Sequence, residues 1–128
     1  MRLLATAVTA AVTLSACADD RGPATATGAI LTGAELAALY PGGPYAVAAP
    51  DGARSTVTAA ADRTAEMRLA DGSRDAGRWR IDGDTVCFTW TRAGGGAERC
   101  GHIQRFADGS YRSVGRDGAV IVTFRRAG

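Results

Sequence analysis

Five Asp-Gly dipeptides punctuate this chain, at Asp51-Gly52, Asp71-Gly72, Asp82-Gly83, Asp108-Gly109 and Asp117-Gly118. Glycine tolerates the positive φ angles that tight hairpin turns demand, and the aspartate before it can fold its carboxylate back onto the turn backbone. Turns at such intervals leave segments too short for long helices and the right length for strands, so the chain is expected to run as an antiparallel meander.

The strands expected between turns span 45–49, 55–60, 64–69, 77–81, 85–91, 98–106, 111–114 and 119–125. The fold class is therefore mainly β: an antiparallel up-and-down meander of about eight strands forming a small barrel or curled sheet, with one short N-terminal helix. That helix begins at Thr32, where Thr32-Gly33-Ala34-Glu35 matches a capping box, and Pro41 with Gly42-Gly43 ends it. Alternation identifies the buried face. In Arg78-Trp79-Arg80-Ile81 the Trp and Ile point one way and both arginines the other, and Val86, Phe88 and Trp90 share a face in the next strand. With Val57, Met67, Leu69, Ile103, Val120, Val122 and Phe124 they make up the expected core.

Ahead of the β region, Met1-Arg2 and the apolar run Leu3 to Leu14 resemble a secretory signal, too short to cross a bilayer. Leu14-Ser15-Ala16-Cys17 follows directly and resembles the bacterial lipobox, which implies lipidation of Cys17 and cleavage just before it. The expected layout is a signal peptide over 1–16, a lipidated Cys with a flexible tether over 17–31, and a small β domain over 32–128. The expected location is the bacterial cell envelope, with the membrane as a partner through the N-terminal lipid. Ala18 at the position after the cysteine favours the outer membrane, facing the periplasm, over the inner one. Ala16-Cys17-Ala18 also fits ordinary signal peptidase cleavage, which would give a soluble periplasmic or secreted form.

An exported chain sits in an oxidising compartment, so Cys87 and Cys100 are expected to form a disulfide across a hairpin whose loop holds Gly94-Gly95-Gly96. If the two cysteines sit opposite each other, Phe88 faces Arg99 and Val86 faces Gly101. Cys87, Cys100, His102 and Gln104 then lie on the outer, more polar face. Phe106 falls with that polar set, which predicts a bulge near 104–106 or an outer apolar patch. The alternative, a metal site of Cys87, Cys100 and His102, lacks a fourth soft ligand, and no metal or other cofactor is expected.

Fifteen basic residues, all arginine, oppose 13 acidic ones for a net charge of +2 in a chain of 128 residues, too balanced for nucleic-acid binding driven by phosphate contacts. No catalytic residues are assigned: the single histidine and the serines at 55, 73, 110 and 113 lack the context of a nucleophile or its base. Outward Arg78, Arg80 and Arg105, with His102, are the candidate surface-binding residues for an acidic partner.

From Thr32 onward the chain resembles small exported bacterial β-proteins of unknown function. The residues that carry the likeness are Leu31 to Leu36, the stretch Gly77-Arg78-Trp79-Arg80-Ile81-Asp82-Gly83-Asp84-Thr85-Val86-Cys87, Cys100, and the closing Asp117-Gly118 hairpin. In its Gly-x-Trp strand, cysteine pair and expected barrel it is also similar to bacterial lipoprotein and periplasmic inhibitors of secreted proteases. The expected function is a membrane-anchored, non-enzymatic binding or structural module of the envelope. The alternatives are an inhibitor of a secreted protease or lysozyme, whose partner is that hydrolase, and a carrier of a small apolar ligand.

Overall fold

The computed structural model describes residues 28–128. The signal, lipobox and tether expected before Gly28 lie outside the described residues. The elements run β1 (Ala29–Ile30), α1 (Gly33–Leu39), a 3-10 turn (Tyr40–Gly42), β2 (Tyr45–Ala48), β3 (Arg54–Ala59), β4 (Thr64–Leu69), β5 (Arg74–Asp82), β6 (Thr85–Trp90), β7 (Arg99–Arg105), β8 (Tyr111–Val114) and β9 (Val120–Arg126). Strands β2 to β9 pair antiparallel with their chain neighbours, and β9 pairs back onto β2, so the meander closes into an eight-stranded barrel. The mainly β, up-and-down barrel expected from the turns is the fold.

Turn chemistry explains the topology. Gly52, Gly72, Gly109 and Gly118 have φ of 89°, 88°, 85° and 81°, and the aspartate before each accepts the N–H of the residue after it at 2.9 to 3.0 Å. Asp62-Arg63-Thr64 repeats this geometry without glycine: Arg63 takes φ 74° and Thr64 donates its N–H to Asp62 at 3.0 Å. Hydrogen bonds from Thr64, Ser73 and Ser110 hold the Asp62, Asp71 and Asp108 carboxyls below their ordinary range.

The short helix α1 has its capping box complete, with Glu35 N–H donating to the Thr32 hydroxyl and Thr32 N–H donating to the Glu35 carboxylate, both at 3.2 Å. It follows β1, so it is not the first element. The tether expected to reach residue 31 gives way to sheet at Ala29: β1 pairs with Gln104 and Arg105 of β7, and the Leu31 N–H donates to the Ile103 carbonyl at 2.9 Å. This edge is free because β6 pairs with β7 only from Arg99 to Gly101. Leu31 is then buried in the core, which a solvated tether would not allow.

Helix α1 lies against β5 and β6. Leu36 is fully buried, the Gly33 N–H donates to Asp84 Oδ1 in the β5–β6 turn at 2.8 Å, and the Tyr45 hydroxyl donates to the Leu39 carbonyl at 2.5 Å. We call this the helix end of the barrel. It also carries the turns after β3, β5 and β7, while the turns after β2, β4, β6 and β8 gather at the opposite, open end.

The cysteine register is the expected one. Cys87 faces Cys100, Val86 faces Gly101, Phe88 faces Arg99, and the sulfurs are bonded at 2.04 Å. Cys87 lies on the outer face, directly opposite Arg80, as anticipated. The surface there is not open, however, because Cys87 is only 1% exposed. Arg80 forks across to Glu98, donating from Nε at 2.8 Å and Nη2 at 2.7 Å, and the Glu98 carboxylate sits within 4.8 Å of both sulfurs.

Phe106 gives neither a bulge nor an open apolar patch. Strand β7 pairs with β8 without interruption from His102 to Arg105, Phe106 is buried, and the Arg112 guanidinium lies 4.9 Å over its ring. The sheet irregularity falls instead between β8 and β9, at Ser113 and Val114. Leu69 and Val120, expected in the core, are 37% exposed, because each ends its strand at the open rim.

Candidate functional site

The inward positions of the barrel divide into two levels. At the helix end they are filled. Tyr40, carried inward by the turn after α1, packs its ring centre 5.6 Å from Trp79, 5.3 Å from Phe88 and 5.9 Å from Phe124. Tyr45 and Tyr111 close around Phe124 at 5.4 and 5.1 Å. Trp79 is buried, its Nε1 donates to the Ala60 carbonyl at 3.0 Å, and the Arg63 guanidinium lies 4.2 Å over its ring.

Toward the open end the inward residues shrink to Val47, Val57, Met67, Ser113 and Val122, and a cavity of about 250 Å³ remains. Phe88 and Trp90 make one wall, stacked at 5.7 Å with planes 9° apart. Trp90 lies flat because its neighbour across β5 is Gly77, where a β-carbon would stand 2.5 Å from the indole Cε3. Tyr40 forms the floor. Its hydroxyl makes no hydrogen bond among the described residues, where no side-chain N or O is sealed off without a partner, so the oxygen is not fully enclosed by protein. Burial, followed by the nearby Tyr45 hydroxyl, raises the Tyr40 phenol well above its usual value, so it stays a neutral hydrogen-bonding group.

The mouth is framed by the loop between β6 and β7, whose Ala93, Gly94 and Ala97 line it. Gly94, Gly95 and Gly96 adopt φ of 65°, 67° and 77°, a run that only glycine accommodates without strain. Asp75 anchors this loop. It points inward from β5, is buried, and accepts the Ala93 N–H at 2.8 Å and the Arg92 N–H at 3.2 Å. The Ala93 N–H is the main reason its carboxyl stays below the ordinary range. These bonds also carry β5 back to Arg74, three residues earlier than the alternation of Trp79 and Ile81 suggested. Across the mouth stands Arg99, which shares the inner face with its cross-strand partner Phe88 and is the one charged residue among the described residues that line the cavity.

The four candidate surface residues do not meet in one patch. Arg78 projects outward from β5 between Thr64 and Thr89, and Arg80 is engaged by Glu98 and by Asp82 at 3.8 Å. His102 is outward and half-buried opposite Val114. Arg105, expected outward, has the inward parity of Ile103. As the last residue of β7 it leaves over the Tyr111 ring at the helix end, 4.0 Å from Glu35. The third donor group gathered with the two cysteines is Glu98, not His102, and the sulfurs are bonded to each other and not free as thiolates. Sequence reasoning missed Arg99 and Asp75 as site residues. Arg99 had a signal, since the register that pairs it with Phe88 puts a charge on the apolar face. The buried Asp75 had none, because its partners are backbone groups 17 and 18 residues away.

Comparison with protein-family models, curated proteins and solved structures found no match. No helix among the described residues is long and apolar enough to cross a membrane.

Proposed function

We propose that this chain is a non-enzymatic binding module of the bacterial envelope, tethered by lipid on Cys17, whose barrel carries a small apolar ligand. The observation behind the reading is the cavity: about 250 Å³, walled by Phe88, Trp90 and aliphatic side chains, floored by Tyr40 and open at one end. Ligand sites are concave and mostly apolar with a few placed polar groups, and this cavity lies near the small end of their range. A 150 Å³ apolar cavity takes benzene, so one of this size suits a molecule of about ten non-hydrogen atoms. The anchor reading rests on Leu14-Ser15-Ala16-Cys17 and would hold the open barrel at a membrane surface, where such molecules partition.

Native mass spectrometry of the full chain prepared without detergent should reveal a bound small mass, and small aromatics should quench the tryptophan emission. No bound mass, with emission unchanged across a panel of such molecules, would overturn the carrier reading. For the anchor, Cys17→Ser should abolish labelling by a palmitate analogue and release the protein from membranes. Continued membrane association of that variant would sink it.

A further inference from the structure

Of the seventeen described residues that line the cavity, sixteen are uncharged, and the seventeenth is Arg99 at its mouth. An inward charge on an otherwise apolar cavity lining carries a cost unless something solvates or pairs it. Water at the open end solvates the guanidinium, so Arg99 costs little where it stands. Asp75, the acidic group buried at this end, is already committed to the Arg92 and Ala93 N–H groups. Glu98, the residue before Arg99 in the chain, is on the outer face with both carboxylate oxygens on Arg80. Arg99 makes no ion pair among the described residues, where the other short ion pairs of the barrel engage Arg74, Arg80, Arg92, Arg105 and Arg125.

Resting on the carrier reading above, we infer that the ligand is a small monocarboxylate with an aromatic body, its ring against Phe88 and Trp90 and its carboxylate on Arg99. A planar guanidinium matches a carboxylate in a two-point fork, which a neutral or cationic head group cannot complete. The parallel Phe88 and Trp90 rings present a flat wall that an aromatic body covers better than a flexible chain does. Deeper in, the apolar lining rejects a second charge, because an unpaired ion there would lose its hydration without compensation. The cavity therefore reads a molecule with one charged end and one dry end, entering ring first.

The test uses the full chain and two isosteres, 3-phenylpropionate and 3-phenylpropanamide, titrated against tryptophan emission. The acid should bind about tenfold more tightly than the amide, the effect of a charge-assisted hydrogen bond discounted for the open mouth, and added salt should shrink the difference. Arg99 is exposed, so Arg99→Gln should fold normally and bind both compounds alike. Equal binding of acid and amide by the unsubstituted protein would overturn the carboxylate inference and leave the carrier reading standing. A preference for the acid that survives Arg99→Gln would also overturn it. Failure of both compounds to bind would overturn the inference, and the carrier reading would then stand or fall on the bound mass alone.

Discussion

The two ends of one barrel are built from the same eight strands and differ in what fills them. At the helix end Tyr40, Tyr45, Trp79, Ile103 and Phe124 interlock, with Leu31 and Leu36 beneath them, and the interior is solid. At the open end the same strands contribute Val47, Val57, Met67, Ser113 and Val122, no helix among the described residues enters, and the interior is hollow. Inward alternation makes both halves apolar. Whether an apolar interior is a core or a site is decided by side-chain volume per level and by whether another element plugs the end.

The two tryptophans offer the sharpest way to break this comparison, because both point inward from adjacent strands. Trp79→Ala removes a ring that is 3% exposed, takes from the Ala60 carbonyl one of its two donors, leaving the Arg63 N–H, and strips Arg63 of its stacking partner. It should cost roughly 3 to 5 kcal/mol. Trp90 is half-buried and borders open space on one side, so Trp90→Ala should cost about half as much and enlarge the cavity. Thermal or denaturant unfolding of the pair checks both. Equal losses would mean that the open end is packed as tightly as the helix end.

Next in size is the disulfide. Cys87 and Cys100 are separated by 13 residues and close the loop that frames the mouth. Replacing both by alanine should cost about 3 kcal/mol in the chain-entropy model. The loss should be uneven. Amide exchange should accelerate first in residues 91–98, while Leu36 and Trp79 at the helix end keep their protection until global unfolding. Uniform acceleration would show that the staple supports the whole barrel and not its hollow half.

How much of this was legible in the sequence follows the range of the forces involved. The Asp-Gly turns were legible because a positive φ is a local demand that glycine answers alone. The β6–β7 register was legible because one covalent cross-link fixes every pair along the hairpin. Strand β1 was not: two residues carry no periodicity, and they pair only because β6 leaves part of the β7 edge open. Nor was the burial of Cys87, which needs Arg80 and Glu98, far apart in the chain, to fork together over it. The cavity itself was half legible. Alternation shows which side chains point inward, but the space they leave depends on eight strands at once, and on where Tyr40 comes to rest.

Filling the interior should separate the two ends again, with a smaller effect. Val122→Phe adds bulk toward the cavity, so it should leave stability within about 1 kcal/mol while abolishing ligand-induced changes in tryptophan emission. Ile103→Phe adds similar bulk where Ile103 is fully buried in a packed cluster, and should cost about 1 to 3 kcal/mol. A destabilising Val122→Phe would mean that the space at the open end is smaller than its walls suggest.

The smallest expected effect concerns two turns of the same construction at opposite ends. At the helix end Arg63 occupies the left-handed position that glycine takes in the equivalent turns, with φ 74°, and its guanidinium lies 4.2 Å over Trp79. At the open end Gly72 holds φ 88°, and nothing within 4 Å would meet a side chain there. A non-glycine residue in this conformation costs roughly 1 to 2 kcal/mol, whereas a cation over an indole returns about 0.5 to 1 kcal/mol at an exposed site. Arg63→Gly should therefore relieve strain and lose stacking together, leaving stability within about 0.5 to 1 kcal/mol of the starting protein. Gly72→Arg acquires the strain with no aromatic ring to offset it and should be destabilised by the full 1 to 2 kcal/mol or so. Paired unfolding measurements decide the matter. If Arg63→Gly instead stabilises the protein by the full 1 to 2 kcal/mol or so, equal and opposite to Gly72→Arg, the Arg63–Trp79 contact contributes nothing, and the helix end is held by its interior packing alone.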